Sequence, residues 1–239
     1  MKVIRGIPPS FHKTPCALTI GNFDGVHQGH LALLKKLQIQ AKQLQVQTCV
    51  LTFEPHPKEF FDPAKAPARI LNLRDKLEAL QAADIDLVVV ERFNANFASM
   101  SPEFFVQKII VDGLRAKHIV IGDDFCYGAK RAGSFTTLQQ AGKISGFTVE
   151  SMDTVLDQQQ TRISSSAIRQ ALKDGQIARA KQLLGRPYTI SGHVIHGKKL
   201  GRTIGFPTLN LAISSKVRPR VPAIRGIFIV QVHGLGPSP

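Results

Sequence analysis

Five short apolar runs, at residues 16 to 20, 46 to 53, 85 to 90, 117 to 121 and 147 to 151, alternate with segments of helical periodicity. Strand then helix, repeated in this way, predicts an α/β domain built on a parallel sheet. Leu31, Leu34, Leu37, Ile39 and Leu44 suit a helix after the first run, and Leu73, Leu77 and Leu80 repeat at helical spacing later. Ser101, Pro102 and Glu103 supply an N-cap, a first-turn proline and an acidic first turn for a third helix. Residues 134 to 143 predict a fourth. Ser164, Ser165 and Ser166 open another that runs to Lys173, Gly175 breaks it, and residues 177 to 184 resume.

The pattern changes at Gly185, Arg186 and Pro187. From Tyr188 onward the runs at 188 to 196 and 226 to 233 read as strands among many glycines and prolines, with no helical period. Two domains are therefore expected, 1–184 of α/β type and 185–239 of β type. So few strands would leave an open, incomplete barrel, and a truncated second domain is expected.

Composition bounds the function. Apolar residues make up 43% and charged residues 20%, as in ordinary folded proteins. Residues 1 to 11 carry no apolar export segment, and no later run approaches a membrane span. Cys16, Cys49 and Cys126 are odd in number and far apart, which argues against a disulfide framework and for a cytoplasmic setting. Lysine and arginine number 31 against 17 acids, a net +14 that suits anionic partners. The charge is spread out and no basic run is interleaved with aromatics, which argues against nucleic acid.

The chemistry concentrates after the first run, in Gly21-Asn22-Phe23-Asp24-Gly25-Val26-His27-Gln28-Gly29-His30. In a parallel sheet this stretch lies at the carboxyl edge, where ligands bind. Gly25 and Gly29 allow close approach of a phosphate chain, and free N–H groups at the helix start favour anionic oxygens. His27 and His30, three apart, can face one polyphosphate together. Zinc would need a third ligand, and His56 is the one tempting candidate. Residues 192 to 198 fit G-x-x-x-x-G-K, but Lys199 stands where Ser or Thr is required and no helix follows, so a P-loop is rejected.

The H-x-G-H stretch, together with Ile163-Ser164-Ser165-Ser166-Ala167-Ile168-Arg169, resembles the nucleotidyltransferases related to class I aminoacyl-tRNA synthetases. More closely, G-N-F-D-G-V-H-Q-G-H, T-F-E-P-H-P at 52 to 57, I-G-D-D-F at 121 to 125 and I-S-S-S-A-I-R are similar to the bacterial bifunctional riboflavin kinase/FMN adenylyltransferase family. The resemblance implies a Rossmann-like nucleotidyltransferase domain followed by a riboflavin kinase-like β-barrel. It implies ATP, FMN and riboflavin as substrates, with Mg²⁺. His27, His30 and Arg169 would be catalytic, stabilising charge as the FMN phosphate attacks the α-phosphorus and pyrophosphate leaves. Gly21, Asn22, Phe23, Asp24, Gly29, Ser164 and Ser165 would bind ATP. Asp124 and Tyr127 would line the flavin pocket, with Phe60 a second wall. The family commonly has phenylalanine at Tyr127 and a larger residue at Cys126, differences that bear on flavin affinity.

In the second domain, residues 196 to 210 resemble the riboflavin kinase signature. By that resemblance Gly201 and Arg202 belong to a turn over ATP phosphates, and Thr208 and Asn210 help bind Mg²⁺. The family's catalytic glutamate lies further downstream, yet residues 211 to 239 contain no Asp or Glu. Adenylyl transfer without kinase activity is the expectation for these 239 residues. The alternatives are a nucleotidyltransferase with another phosphorylated acceptor, or a basic RNA-binding protein.

Overall fold

The apolar runs form strands that pack side by side in a parallel sheet, as seen in a computed structural model describing residues 1–7, 14–197, 203, 205–206, 208–212 and 222–234. In chain order the elements are β1 (Lys2–Arg5), β2 (Cys16–Ile20), α1 (Gln28–Leu44), β3 (Gln47–Glu54), α2 (Pro57–Phe61), α3 (Leu73–Ala82), β4 (Leu87–Arg92), α4 (Ala95–Ala98) and α5 (Pro102–Phe105). They continue with β5 (Ala116–Gly122), α6 (Phe135–Ser145), β6 (Thr148–Met152), α7 (Ser165–Lys173), α8 (Ile177–Leu184), β7 (His193–Ile195) and β8 (Asn210–Ala212). The order across the sheet is β1-β4-β3-β2-β5-β6, every pair parallel.

Central strands of such a sheet are covered on both faces, so their side chains alternate between two cores. Ala17, Val50, Val88 and Val120 face one core with Leu34 and Leu37 of α1 and Ile168, Leu172 and Leu183 of α7 and α8. Leu18, Cys49, Leu51, Val89, Ile119 and Ile121 face the other with Phe105, Ile110, Leu114, Leu138 and Phe147. Each fully buried aliphatic chain contributes about 1.5–3 kcal/mol.

The five strands predicted before residue 185 all form, with ends shifted by a few residues. The helix capped by Ser101 forms too, its hydroxyl accepting from the Phe104 N–H at 3.1 Å. It then widens into a π-type segment over Val106–Gly113, ending with the Leu114 N–H on the Ile109 carbonyl. Two strands, β1 and β8, have no counterpart in the sequence reading. The first of them, β1, is a four-residue edge strand flanked by Lys2 and Arg5, too short and too charged to show a pattern.

The second part differs more from expectation. Of the run at 188 to 196 only His193–Ile195 is strand, paired antiparallel with β8. Residues 226 to 233 are not strand, and Ile227 and Ile229 stand fully exposed. Apolar alternation makes a strand only where a neighbour takes up its backbone hydrogen bonds. Tyr188, Ala223 and Ile224 instead pack against the first core beside α3.

Candidate active site

The chain runs outward from β2 through β3 to β4, then returns to place β5 on the other side of β2, so the order reverses between β2 and β5. Ligands bind outside the carboxyl ends of strands at such a point. A cavity of about 820 Å³ opens there, lined by the loops after β2, β3, β5 and β6 and by the start of α7.

The loop after β2 is held in an unusual shape. Phe23, Gly25 and Val26 all have positive φ, at 48°, 97° and 39°. Such a conformation persists only when the surroundings fix it. Here Arg186 donates to the Gly25 and Val26 carbonyls at 2.6 and 2.8 Å, and Thr52 Oγ1 donates to the Asn22 carbonyl at 3.2 Å. Ser165 Oγ donates to the Asp24 carbonyl at 2.7 Å, which ties the start of α7 to the same loop.

His27 is the N-cap of α1 and forms a reciprocal box with His30. Each ring accepts the other residue's backbone N–H on Nδ1 at 3.3 Å, and the rings stack with centroids 3.7 Å apart. With Nδ1 accepting, each neutral imidazole carries its hydrogen on Nε2. Burial, opposed by Asp24, pushes His27 down to about 4. Burial, His27 and Lys76 hold His30 well below its ordinary value. Gly29 leaves room for this pair, since a Cβ there would sit 3.3 Å from the His27 ring.

Asp24 is buried, and its carboxylate accepts from the Ile70 and Leu71 N–H groups at 3.1 and 3.2 Å and from Arg169 Nη2 at 2.5 Å. Arg169 Nε donates to the Ala68 carbonyl at 2.7 Å. Ser164 caps α7, accepting from the Ala167 N–H at 3.2 Å. Gly21, Asn22, Phe23, Asp24, His27, Gly29, His30, Ser164, Ser165 and Arg169 all line the cavity.

On the far side the walls are aromatic: Phe53, Phe61, Phe93, Phe97, Phe125 and Tyr127. Tyr127 is largely buried, its hydroxyl 3.3 Å from Thr137 Oγ1 and its ring stacked on Phe125. Asp124 reaches the rim, bound to Arg162 at 2.8 Å. Phe60 is not among the lining residues. It packs between Phe61 and Phe93, and successive residues on the short helix α2 point in different directions, so Phe61 takes the cavity side.

Sequence reasoning missed the ionic layer beneath the cavity. Arg69, nearly fully buried, binds Glu59 at 2.5 and 2.7 Å and Glu54 at 3.1 Å. His56 caps α2, its Nδ1 accepting from the Lys58 N–H at 3.1 Å, and burial pushes it down to about 4. Lys76 on α3 is also buried. Glu54 and His56 stand in the T-F-E-P-H-P stretch, but Glu59, Arg69 and Lys76 carry no motif spacing, and the segment between β3 and α3 brings them together.

Among the described residues no group of three or more His, Cys, Asp or Glu could hold a metal. Gly201 and Arg202 lie outside the described residues. Asn210 sits on β8 with its amide against Gly197, and Thr208 lies two residues before it; neither lines the cavity.

Comparison with known proteins places the whole chain in one family. The FAD synthetase profile matches residues 10–167, and the riboflavin kinase profile matches residues 184–238. The bifunctional riboflavin kinase/FMN adenylyltransferase of Escherichia coli K12 is 46% identical over 242 residues, spanning 100% of this chain and 75% of its own length. The chain belongs to that family.

The family's Haemophilus influenzae member is 46% identical over 98% of this chain and 74% of its own length, and that of Pseudomonas fluorescens is 45% identical over 93% and 70%. The chain thus spans about three quarters of the length of these relatives. The crystal structure of a protein described as a macrolide-efflux protein from Streptococcus pneumoniae superposes with a TM-score of 0.75 at 29% identity, over 92% of this chain and 71% of that one. Among the described residues no helix is long and apolar enough to cross a membrane. As a family member the chain is a nucleotidyltransferase enzyme, and ATP, FMN and riboflavin are substrates of its class.

Proposed function

We propose that the cavity between the ends of β2 and β5 transfers the adenylyl group of ATP to the phosphate of FMN. The observation that carries this is the stacked, neutral His27 and His30 pair at the N-terminus of α1, facing that cavity. The backbone around Gly21, Asn22, Phe23 and Gly29 cradles the triphosphate, and α1 and α7 turn their N-termini towards it. Ser164 and Ser165 stand at the start of α7, and the Arg169 fork is anchored nearby through Asp24 and Ala68.

An FMN phosphate oxygen attacks the α-phosphorus in line, a P–O bond forms, and the α–β bridging bond breaks with its electrons passing to pyrophosphate. No covalent enzyme intermediate is needed. His27 and His30 offer Nε2–H donors to the phosphate oxygens as charge develops, the kind of fixed donor whose removal costs about 10²–10³ in rate. The flavin ring lies against the aromatic wall, with Phe61, Phe125 and Tyr127 as its nearest rings and Asp124 at the rim.

No group of three or more His, Cys, Asp or Glu gathers among the described residues, so Mg²⁺ is read as an ion that arrives with ATP. Asp24 is saturated by two N–H groups and Arg169, and Asp124 is paired with Arg162. Such an ion, held mainly by substrate phosphates, would neutralise charge on the leaving pyrophosphate.

Residues 1–184 form the adenylyltransferase unit and residues 185–239 belong to the riboflavin kinase unit, with Thr208 and Asn210 offering oxygens to its Mg²⁺. Residues 1–239 on their own do not phosphorylate riboflavin, since residues 211 to 239 supply no carboxylate to take the hydroxyl proton. Free thiols at Cys16, Cys49 and Cys126 suit a reducing cytoplasm. The test is an end-point assay with ATP, Mg²⁺ and either FMN or riboflavin, separating flavins by chromatography. FAD from FMN and nothing from riboflavin supports the assignment; no FAD from folded protein contradicts the transferase half, and FMN from riboflavin the kinase half.

A further inference from the structure

Lys76 is 1% exposed, and its Nζ donates to Thr52 Oγ1 at 3.3 Å. Thr52 is fully buried and passes its own hydrogen to the Asn22 carbonyl at 3.2 Å, in the loop that lines the cavity. Among the described residues no carboxylate lies within salt-bridge distance of Lys76. A buried ammonium with one neutral acceptor is costly, and an apolar chain of similar length would burden the fold less. The groups facing it from the surrounding elements are Arg69, Asp24, Glu54, Glu59 and, from α1, His30.

We propose that Lys76 is a positioning residue for adenylyl transfer: it fixes the Asn22 carbonyl through Thr52, and its buried charge favours the polyphosphate held above that loop. The inference rests on the cavity being the ATP site. A unit charge acting over about 10 Å at an effective dielectric of about 20 changes an equilibrium on the order of tenfold. Burial, reinforced by Arg69 and opposed by Asp24, Glu54 and Glu59, brings Lys76 down to about 8, so its charge is lost within an accessible pH range.

The experiment measures kcat and KM for ATP and for FMN from pH 6.5 to 9.5 in the wild type, Lys76→Met and Thr52→Val. In the wild type, KM for ATP rises about tenfold as pH passes through about 8. Lys76→Met carries a similar increase already at pH 7, shows no further rise through pH 8, and leaves KM for FMN unchanged. Thr52→Val raises KM for ATP but keeps the alkaline rise, because the charge remains. A folded Lys76→Met with wild-type KM for ATP and a wild-type alkaline profile overturns the inference. Should Lys76→Met fail to fold, wild-type kinetics in Thr52→Val together with a flat wild-type profile through pH 8 overturn it equally. Absence of FAD formation by the folded wild type overturns both this inference and the assignment of the cavity; normal wild-type activity with an indifferent Lys76→Met overturns this inference alone.

Discussion

Arg169 Nη2 lies 2.5 Å from Asp24 Oδ2, joining α7 to the loop after β2 across 145 residues of sequence. The same carboxylate holds the Ile70 and Leu71 N–H groups, so one buried acid ties together three segments that meet at the cavity. Removing one partner of a buried pair strands the other, at a cost of about 3–5 kcal/mol. Asp24→Ala is therefore expected to lower stability by about that amount in urea denaturation. A change of under about 1 kcal/mol would show that the pair is dispensable to the fold.

His27 and His30 act on charge that develops in the transition state, so their removal should fall on kcat. His27→Ala or His30→Ala is expected to slow FAD formation about 100-fold or more, while FMN affinity by fluorescence titration changes little. Equal losses in both would place the histidines in ground-state binding instead.

Acid should unfold the protein through its buried histidines. The unfolded chain binds protons at 6.5, but the folded His27 and His56 do so only near 4. Between those values the unfolded state holds more protons, so stability falls as pH drops from 6.5 to 4 and is fully present above 6.5. Each histidine contributes on the order of 3 kcal/mol across the window. Thermal melts from pH 7 to 4 check this, and His56→Asn, which keeps a capping acceptor, should flatten the dependence.

Phe61 and Phe60 should separate cleanly. Phe61 is 67% exposed and lines the cavity, whereas Phe60 packs between Phe61 and Phe93. Phe61→Ala is expected to weaken FMN binding about fivefold with little change in stability. Phe60→Ala should do the reverse, as seen by titration and melting of the same two variants.

Much of this site was legible in the sequence because its information is local. The strands at 16 to 20 and 117 to 121, the glycines and histidines between residues 21 and 30, and the serine cap of α7 all show in short windows. What failed to show depends on tertiary pairing. β1 forms because β4 offers an edge, and residues 226 to 233 stay irregular because no strand among the described residues pairs with them. Arg69 and Lys76 carry no local signal of burial, and only the fold buries them against Glu54, Glu59 and Thr52. Phe60 and Phe61 are adjacent in sequence, so nothing short of the helix direction distinguishes them.

The most direct test follows the adenylyl group itself. Protein incubated with FMN, Mg²⁺ and ATP radiolabelled at the α-phosphate should pass label to FAD in amounts matching pyrophosphate released, with none retained on the protein. The His27→Ala/His30→Ala variant, folded by circular dichroism, should lose that transfer. Label reaching FAD at the wild-type rate in the double variant, or no label reaching FAD in the wild type, would contradict the account.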